Sequence, residues 1–193
     1  TPMLTITSED TLTVDGTMTA TVQTTATDGR GGAITFAITT EDGYAEVDSY
    51  TGVITGITVG AVTLTVTSAG DGDYNSATAS QRIMITRTTP ILKIVSGNVL
   101  DVDDSRRVNV ISTATQGLGG AFRYAVMGSG SATVDPDTGL LTAIHAGIIT
   151  LTATSAGDSD YYSATTSQKL TIRPRTPLLT ITSGNTLQVH GAL

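Results

Sequence analysis

The chain has no cysteine and no tryptophan, only two histidines, and just 4% aromatic residues. Without cysteine there are no disulfides, no thiolate zinc sites and no thiol nucleophile, so packing and hydrogen bonds alone must hold the fold. Charged residues are scarce at 14%. They form no basic patch interleaved with aromatics, which argues against nucleic acid as a partner. No apolar run approaches the length of a membrane-spanning helix and no signal peptide opens the chain, so membrane insertion is not expected. No segment sustains a helical period either. The net charge of −7 is uneven: residues 1–88 carry ten acids and three bases, residues 89–175 carry seven of each, and the remainder carries neither.

What is abundant is threonine and repetition. Threonine supplies 39 of the 193 residues, and its β-branched side chain suits a half-buried pleated surface. Thr1-Pro2-Met3-Leu4-Thr5-Ile6-Thr7 returns at Thr89 and again at Thr176, spaced by 88 and then 87 residues. Ala69-Gly70-Asp71-Gly72-Asp73-Tyr74 returns as Ala156-Gly157-Asp158-Ser159-Asp160-Tyr161. Such a period is too long for a solenoid turn and suits a small domain repeated in tandem. The expected organisation is a first repeat over 1–88, a second over 89–175, and the start of a third over 176–193. The chain therefore reads as a section of a longer array.

Within each repeat, strand signals alternate with turn signals. Ala61-Val62-Thr63-Leu64-Thr65-Val66-Thr67 has period two, which puts Val62, Leu64 and Val66 on a core face and the threonines on the other. Ile34, Phe36, Ile38 and their counterparts Phe122, Tyr124, Val126 read the same way. In the first repeat, strands are expected over 3–14 (interrupted near 8–10), 18–26, 33–39, 44–48, 52–57, 61–69 and 79–87. About seven short antiparallel strands with a turn roughly every ten residues predict an all-β fold, a tandem array of immunoglobulin-like β-sandwiches. Phe36 and Tyr124 stand where antibody domains place a tryptophan.

Two stretches carry a family resemblance. Val47-Asp48-Ser49-Tyr50-Thr51-Gly52-Val53-Ile54-Thr55-Gly56-Ile57 and Val134-Asp135-Pro136-Asp137-Thr138-Gly139-Leu140-Leu141-Thr142-Ala143-Ile144 resemble the central motif of bacterial Ig-like domains, group 2. A small-residue turn and a Thr-rich strand follow in both repeats, and the Ala-Gly-Asp-x-Asp-Tyr stretch is similar to many bacterial surface repeats. The resemblance implies tandem modules of an extracellular, cell-surface protein, for example an adhesin.

Candidate chemistry is sparse. Asp71 and Asp73, and their counterparts Asp158 and Asp160, are paired carboxylates on glycine-containing loops; they suit a hard cation such as Ca²⁺ or a solvated turn. Tracing the strands brings the Asp15-Gly16 and Val59-Gly60 turns of repeat one against Gly117–Gly120 and Asp158–Asp160 of repeat two, around Arg87–Pro90. Asp15, Asp158 and Asp160 are therefore the expected ligands of a calcium site at the joint, with Asp71 and Asp73 on the equivalent loop of the first repeat. No other cofactor is expected. Tyr74 and Tyr161 are expected to pack over the sandwich end and to hydrogen-bond through their hydroxyls. His145 and His190 have no partner to complete a metal site. Gly128-Ser129-Gly130-Ser131 is not a nucleophile elbow and Gly117–Gly120 is not a phosphate loop, because the strand-to-helix turn both require is missing. No catalytic constellation is present, so no enzyme is expected. Residues 1–88 contain no lysine, which rules out a Lys–Asn crosslink inside that repeat.

These features favour a spacer of a surface protein that bears tension and projects a distal binding domain. Its partners would be the neighbouring repeats. A second reading is a self-assembling subunit of a filament or layer, in which 176–193 adds as a strand to another copy. A third, a module binding glycan or host protein, has few aromatic platforms to work with.

Overall fold

The computed structural model describes residues 1–27 and 31–180. His190 and most of the 176–193 segment expected to begin a third repeat therefore lie outside the described residues. The strands run β1 (Leu4–Ile6), β2 (Thr11–Thr13), β3 (Thr17–Thr19), β4 (Val22–Thr24), β5 (Ile34–Thr40), β6 (Tyr44–Val47), β7 (Val53–Thr58), β8 (Gly60–Ser68) and β9 (Ala77–Thr86). They continue with β10 (Leu92–Ile94), β11 (Val99–Asp101), β12 (Ser105–Arg107), β13 (Val110–Ser112), β14 (Phe122–Gly128), β15 (Ser131–Val134), β16 (Leu140–His145), β17 (Gly147–Ser155) and β18 (Ala164–Arg173). A 3₁₀ turn, Gly117–Gly119, lies between β13 and β14.

Strand pairing gives two sandwiches of the same topology. In the first, a sheet ordered β2-β9-β8-β5 faces a sheet ordered β3-β7-β6, and β1 pairs with β4 beside them. The second has β11-β18-β17-β14 over β12-β16-β15, with β10 paired to β13. This is the immunoglobulin-type β-sandwich. Each has its own apolar core. Val62, Leu64 and Val66 are fully buried with Ile54, Ile83 and Ile85 in the first; Ile149 and Leu151 are buried with Leu141, Leu170 and Ile172 in the second. Thr63, Thr65 and Thr67 alternate with them on the outer face, only half-buried. There they form hydroxyl ladders: Thr63 donates to Glu41 at 2.8 Å and Thr65 pairs with Ser80 at 3.2 Å across the strands.

Two features add to the simple seven-strand reading. The first strand is interrupted near 8–10 as expected, and its two halves lie in different sheets. After β1 pairs with β4, the chain crosses at Thr7–Asp10 to the other sheet, where β2 lies beside β9 in parallel, Leu12 opposite Ile85. The pairing is therefore not wholly antiparallel; β11 and β18 repeat the parallel pair. The strand expected over 18–26 is also split, because β3 pairs with β7 and β4 with β1. In both cases the two halves of one expected strand serve two sheets, and local propensity does not record which sheet receives each half.

The motif that carried the family resemblance is a turn. The Asp48 carboxylate accepts the N–H groups of Tyr50 and Thr51 at 2.9 and 2.8 Å, and Asp135 accepts those of Asp137 and Thr138 at 3.0 and 2.8 Å. These backbone donors hold both carboxyls below their ordinary range, led by Thr51 in one and Thr138 in the other. The glycine that follows has φ of 70° at Gly52 and 68° at Gly139. A Cβ there would come within 2.9 Å of the Phe36 or Tyr124 ring. So Asp tightens the turn and Gly leaves room for the central aromatic.

Candidate functional site

The site this fold builds is the joint between the sandwiches. On the far side of that joint, the loop between β17 and β18 is tied by Asp158. Its Oδ1 accepts the N–H of Asp160 at 2.9 Å and of Tyr161 at 3.0 Å, and its own N–H donates to the Tyr161 carbonyl at 3.1 Å. That loop aims Tyr161 into the end of the first sandwich. Its side chain is 1% exposed and packs, with Ala114, against the core of residues belonging to the other repeat. A tyrosine buried this deeply needs a partner for its hydroxyl.

The partner is Asp15, on the turn between β2 and β3. The Tyr161 hydroxyl donates to Asp15 Oδ2 at 2.7 Å and accepts the N–H groups of Thr115 and Gln116 at 3.1 and 3.3 Å. The Thr115 hydroxyl donates to Asp15 Oδ1. Asp15 has φ of 61°, a left-handed conformation that Asp and Asn tolerate better than most side chains. A second clasp joins Asp160 Oδ1 to the Val59 N–H at 2.7 Å. The linker is held as well. Thr88 bridges Tyr161 in parallel, the Tyr162 N–H donates to the Thr88 carbonyl at 2.9 Å, and Arg87 Nε donates to the Ser159 carbonyl at 3.0 Å. The Arg87 guanidinium lies 5.8 Å from the Tyr162 ring centre.

The structure thus brings Asp15, Asp158 and Asp160 to the joint that sequence tracing indicated. Each carboxylate, however, meets N–H or O–H donors, and Asp158 is spent on its own loop. Asp71 does likewise in the first sandwich, accepting from Asp73, Tyr74 and Gly31 at 2.9, 2.9 and 2.6 Å. Asp73 is exposed on that same loop. Among the described residues, no group of three or more His, Cys, Asp or Glu side chains is arranged to hold a metal ion. Tyr74 is half-buried, its hydroxyl 3.2 Å from Thr27 Oγ1. His145 is exposed. Sequence reasoning placed the Val59-Gly60 turn at the joint without assigning its N–H to Asp160, and it overlooked Thr115. One signal was present: Thr27 and Thr115 occupy the same place in successive repeats, each serving a tyrosine.

No protein-family model and no curated protein matches the chain. Solved structures do. The fibronectin(III)-like modules of Clostridium thermocellum CbhA align at 15% identity over 89% of this chain and 95% of theirs, with a TM-score of 0.34. A 282-residue C-terminal fragment of intimin, in complex with the intimin-binding domain of its translocated receptor, aligns at 20% identity over 87% of this chain and 64% of that one, with a TM-score of 0.33. Three N-terminal domains of the bacteriophage RB49 outer capsid protein Hoc align at 15% identity over 91% and 70%, with a TM-score of 0.30. The fold assignment rests on the strand pairing itself.

Proposed function

We propose that the chain is a stalk segment: two sandwiches stacked end to end by a built joint, holding a fixed spacing under tension on the outer surface of a bacterium. The observation that carries this reading is the burial of Tyr161 in the neighbouring sandwich with its hydroxyl on Asp15. A flexible tether needs no such contact, and a linker pinned at Arg87 and Thr88 is not one. The parallel β2/β9 and β11/β18 pairs support the mechanical part. Pulling the chain by its ends drags the paired strands past each other lengthwise, so their hydrogen bonds are loaded together. The surface setting is the one implied by the Asp-x-x-Thr-Gly resemblance.

Small-angle scattering tests the joint. The expected maximum dimension is that of two sandwiches in line, and replacing Tyr161 by Ala should broaden the distance distribution. Stretching single molecules tests the load-bearing. Two discrete unfolding events are expected, each releasing roughly 300 Å of chain. A bent, broadly distributed ensemble that is unchanged by the substitution would overturn the stalk reading.

A further inference from the structure

The flank of the second sandwich holds a hollow that plays no part in the joint. Arg107, Asn109, Phe122, Arg123, Tyr124 and Asp137 line a space of about 840 Å³, within the range of small-molecule sites. It lies between the step from β12 to β13, the start of β14 and the Asp135 turn. Neither end of the chain contributes to it, and Arg107, Asn109, Arg123 and Asp137 are exposed with the first sandwich in place. The floor is apolar. The Phe122 and Tyr124 rings stack with centres 6.3 Å apart, both half-buried against the second core together with Val110. The walls are polar. Arg123 and Asp137 form an ion pair on the rim. Among the described residues, the Arg107 guanidinium, the Asn109 amide and the Tyr124 hydroxyl make no hydrogen bond or ion pair. A half-buried tyrosine hydroxyl normally finds a partner, from protein, water or ligand.

The fold does not require these groups. By the internal repeat, Arg107, Asn109, Arg123 and Asp137 correspond to Thr19, Thr21, Thr35 and Tyr50, and Phe122 and Tyr124 to Ile34 and Phe36. The first sandwich closes with the same strand pairing and none of the charged side chains. Tyr124 differs from Phe36 by a hydroxyl that packing does not use. The mixture of groups sorts the ligand. Asp137 matches Arg123, and Asp135 acts electrostatically on Arg107, so the hollow selects neither an anion nor a cation by net charge. Hydrogen-bond donors and acceptors instead surround an apolar floor. A molecule whose hydroxyls both donate and accept, and whose C–H faces are apolar, satisfies both. We propose that this hollow is a saccharide-binding site, with Phe122 and Tyr124 beneath the sugar ring and Arg107, Asn109, Tyr124 and Asp137 on its hydroxyls. The site adds glycan binding to a stalk segment, and it does not depend on the joint being rigid.

An open site that must immobilise exposed side chains binds weakly, with a dissociation constant expected on the order of millimolar. Amide spectra of the ¹⁵N-labelled full chain, titrated beyond that range with maltose, cellobiose, lactose and N-acetylglucosamine, provide the test. At least one sugar should shift the amides around Arg107–Val110, Phe122–Tyr124 and Asp137–Thr138 and leave their counterparts in the first sandwich unmoved. Tyr124→Phe should weaken that binding about threefold to tenfold. Arg107→Thr, Asn109→Thr and Tyr124→Phe together install the residues of the first repeat; they should abolish the shifts while thermal melting still reports two folded sandwiches. Spectra unmoved by all four sugars would overturn the proposal. So would shifts that survive the triple substitution, or shifts of the same amides by sodium acetate or acetyl-triglycine but not by sugars, which would make the hollow an anion or peptide site. Scattering from the Tyr161 variant bears on the joint alone, so the stalk reading and the saccharide site can fail separately.

Discussion

Replacing Tyr161 by Phe removes one oxygen from the joint and leaves the ring in place. That oxygen donates to a carboxylate at 2.7 Å and accepts two backbone N–H groups at 3.1 and 3.3 Å, from a side chain only 1% exposed. A hydrogen bond to a charged group contributes about 1.5–3 kcal/mol. Asp15 is half-exposed and keeps the Thr115 hydroxyl after the change, so the lower end applies, about 1.5 kcal/mol. For a domain of this size that corresponds to roughly 6–12 °C in melting temperature. Asp15→Asn keeps the left-handed turn while removing the charge. Calorimetry on the wild type, both single variants and the double variant closes the cycle. The pair is expected to be non-additive by about 1 kcal/mol although the residues lie in different sandwiches. Strict additivity would refute the argument, because the two side chains would then not share the bond on which the joint depends.

Four further outcomes follow from the fold. Leu64→Ala empties a fully buried position in the first core and should cost about 2–5 kcal/mol; urea melts should show the first sandwich unfolding early and the second little changed. Gly52→Ala and Gly139→Ala should each destabilise their sandwich by about 1–3 kcal/mol, since φ is positive and a Cβ would meet the Phe36 or Tyr124 ring; Gly72→Ala, with open space around it, should fall within about 0.5 kcal/mol of wild type. Asp48 and Asp135 have folded pKa values below the ordinary 3.8, so their stabilisation is complete above that pH and lost as pH falls through the lowered values; melting temperature should drop in that acid window, less steeply for a Asp48→Asn, Asp135→Asn variant. Calcium at millimolar level should leave melting temperature and maximum dimension unchanged, because N–H and O–H donors already meet Asp15, Asp158 and Asp160; a calcium-dependent rise in melting temperature would show that a cation displaces those donors.

Much of this architecture is written locally. The period-two runs fixed which face of β8 and β17 is buried, since alternation along a strand is a property of the chain itself. The internal repeat placed matching loops at matching ends, and so indicated which loops meet around Arg87–Pro90. The break between the strands expected over 44–48 and 52–57 was legible too; the Asp48 carboxylate closes it through N–H groups of near neighbours only.

Tertiary structure decided the rest. The interruption near 8–10 was legible in the sequence, but a β-prone run does not encode which sheet receives each half, so the transfer of β2 to β9, its parallel pairing there, and the split between β3 and β4 came from packing. Carboxylates gathered at one end of a sandwich also read alike for a cation or for hydrogen-bond donors. The donors that meet these carboxylates come from residues far apart in sequence: Asp15 and Tyr161 are separated by 146 positions, and Thr115 and Val59 approach the joint only when one sandwich seats on the other. Loop composition placed three acids at the joint, but only the docking of the sandwiches brought the Tyr161 hydroxyl to Asp15 and the Val59 N–H to Asp160.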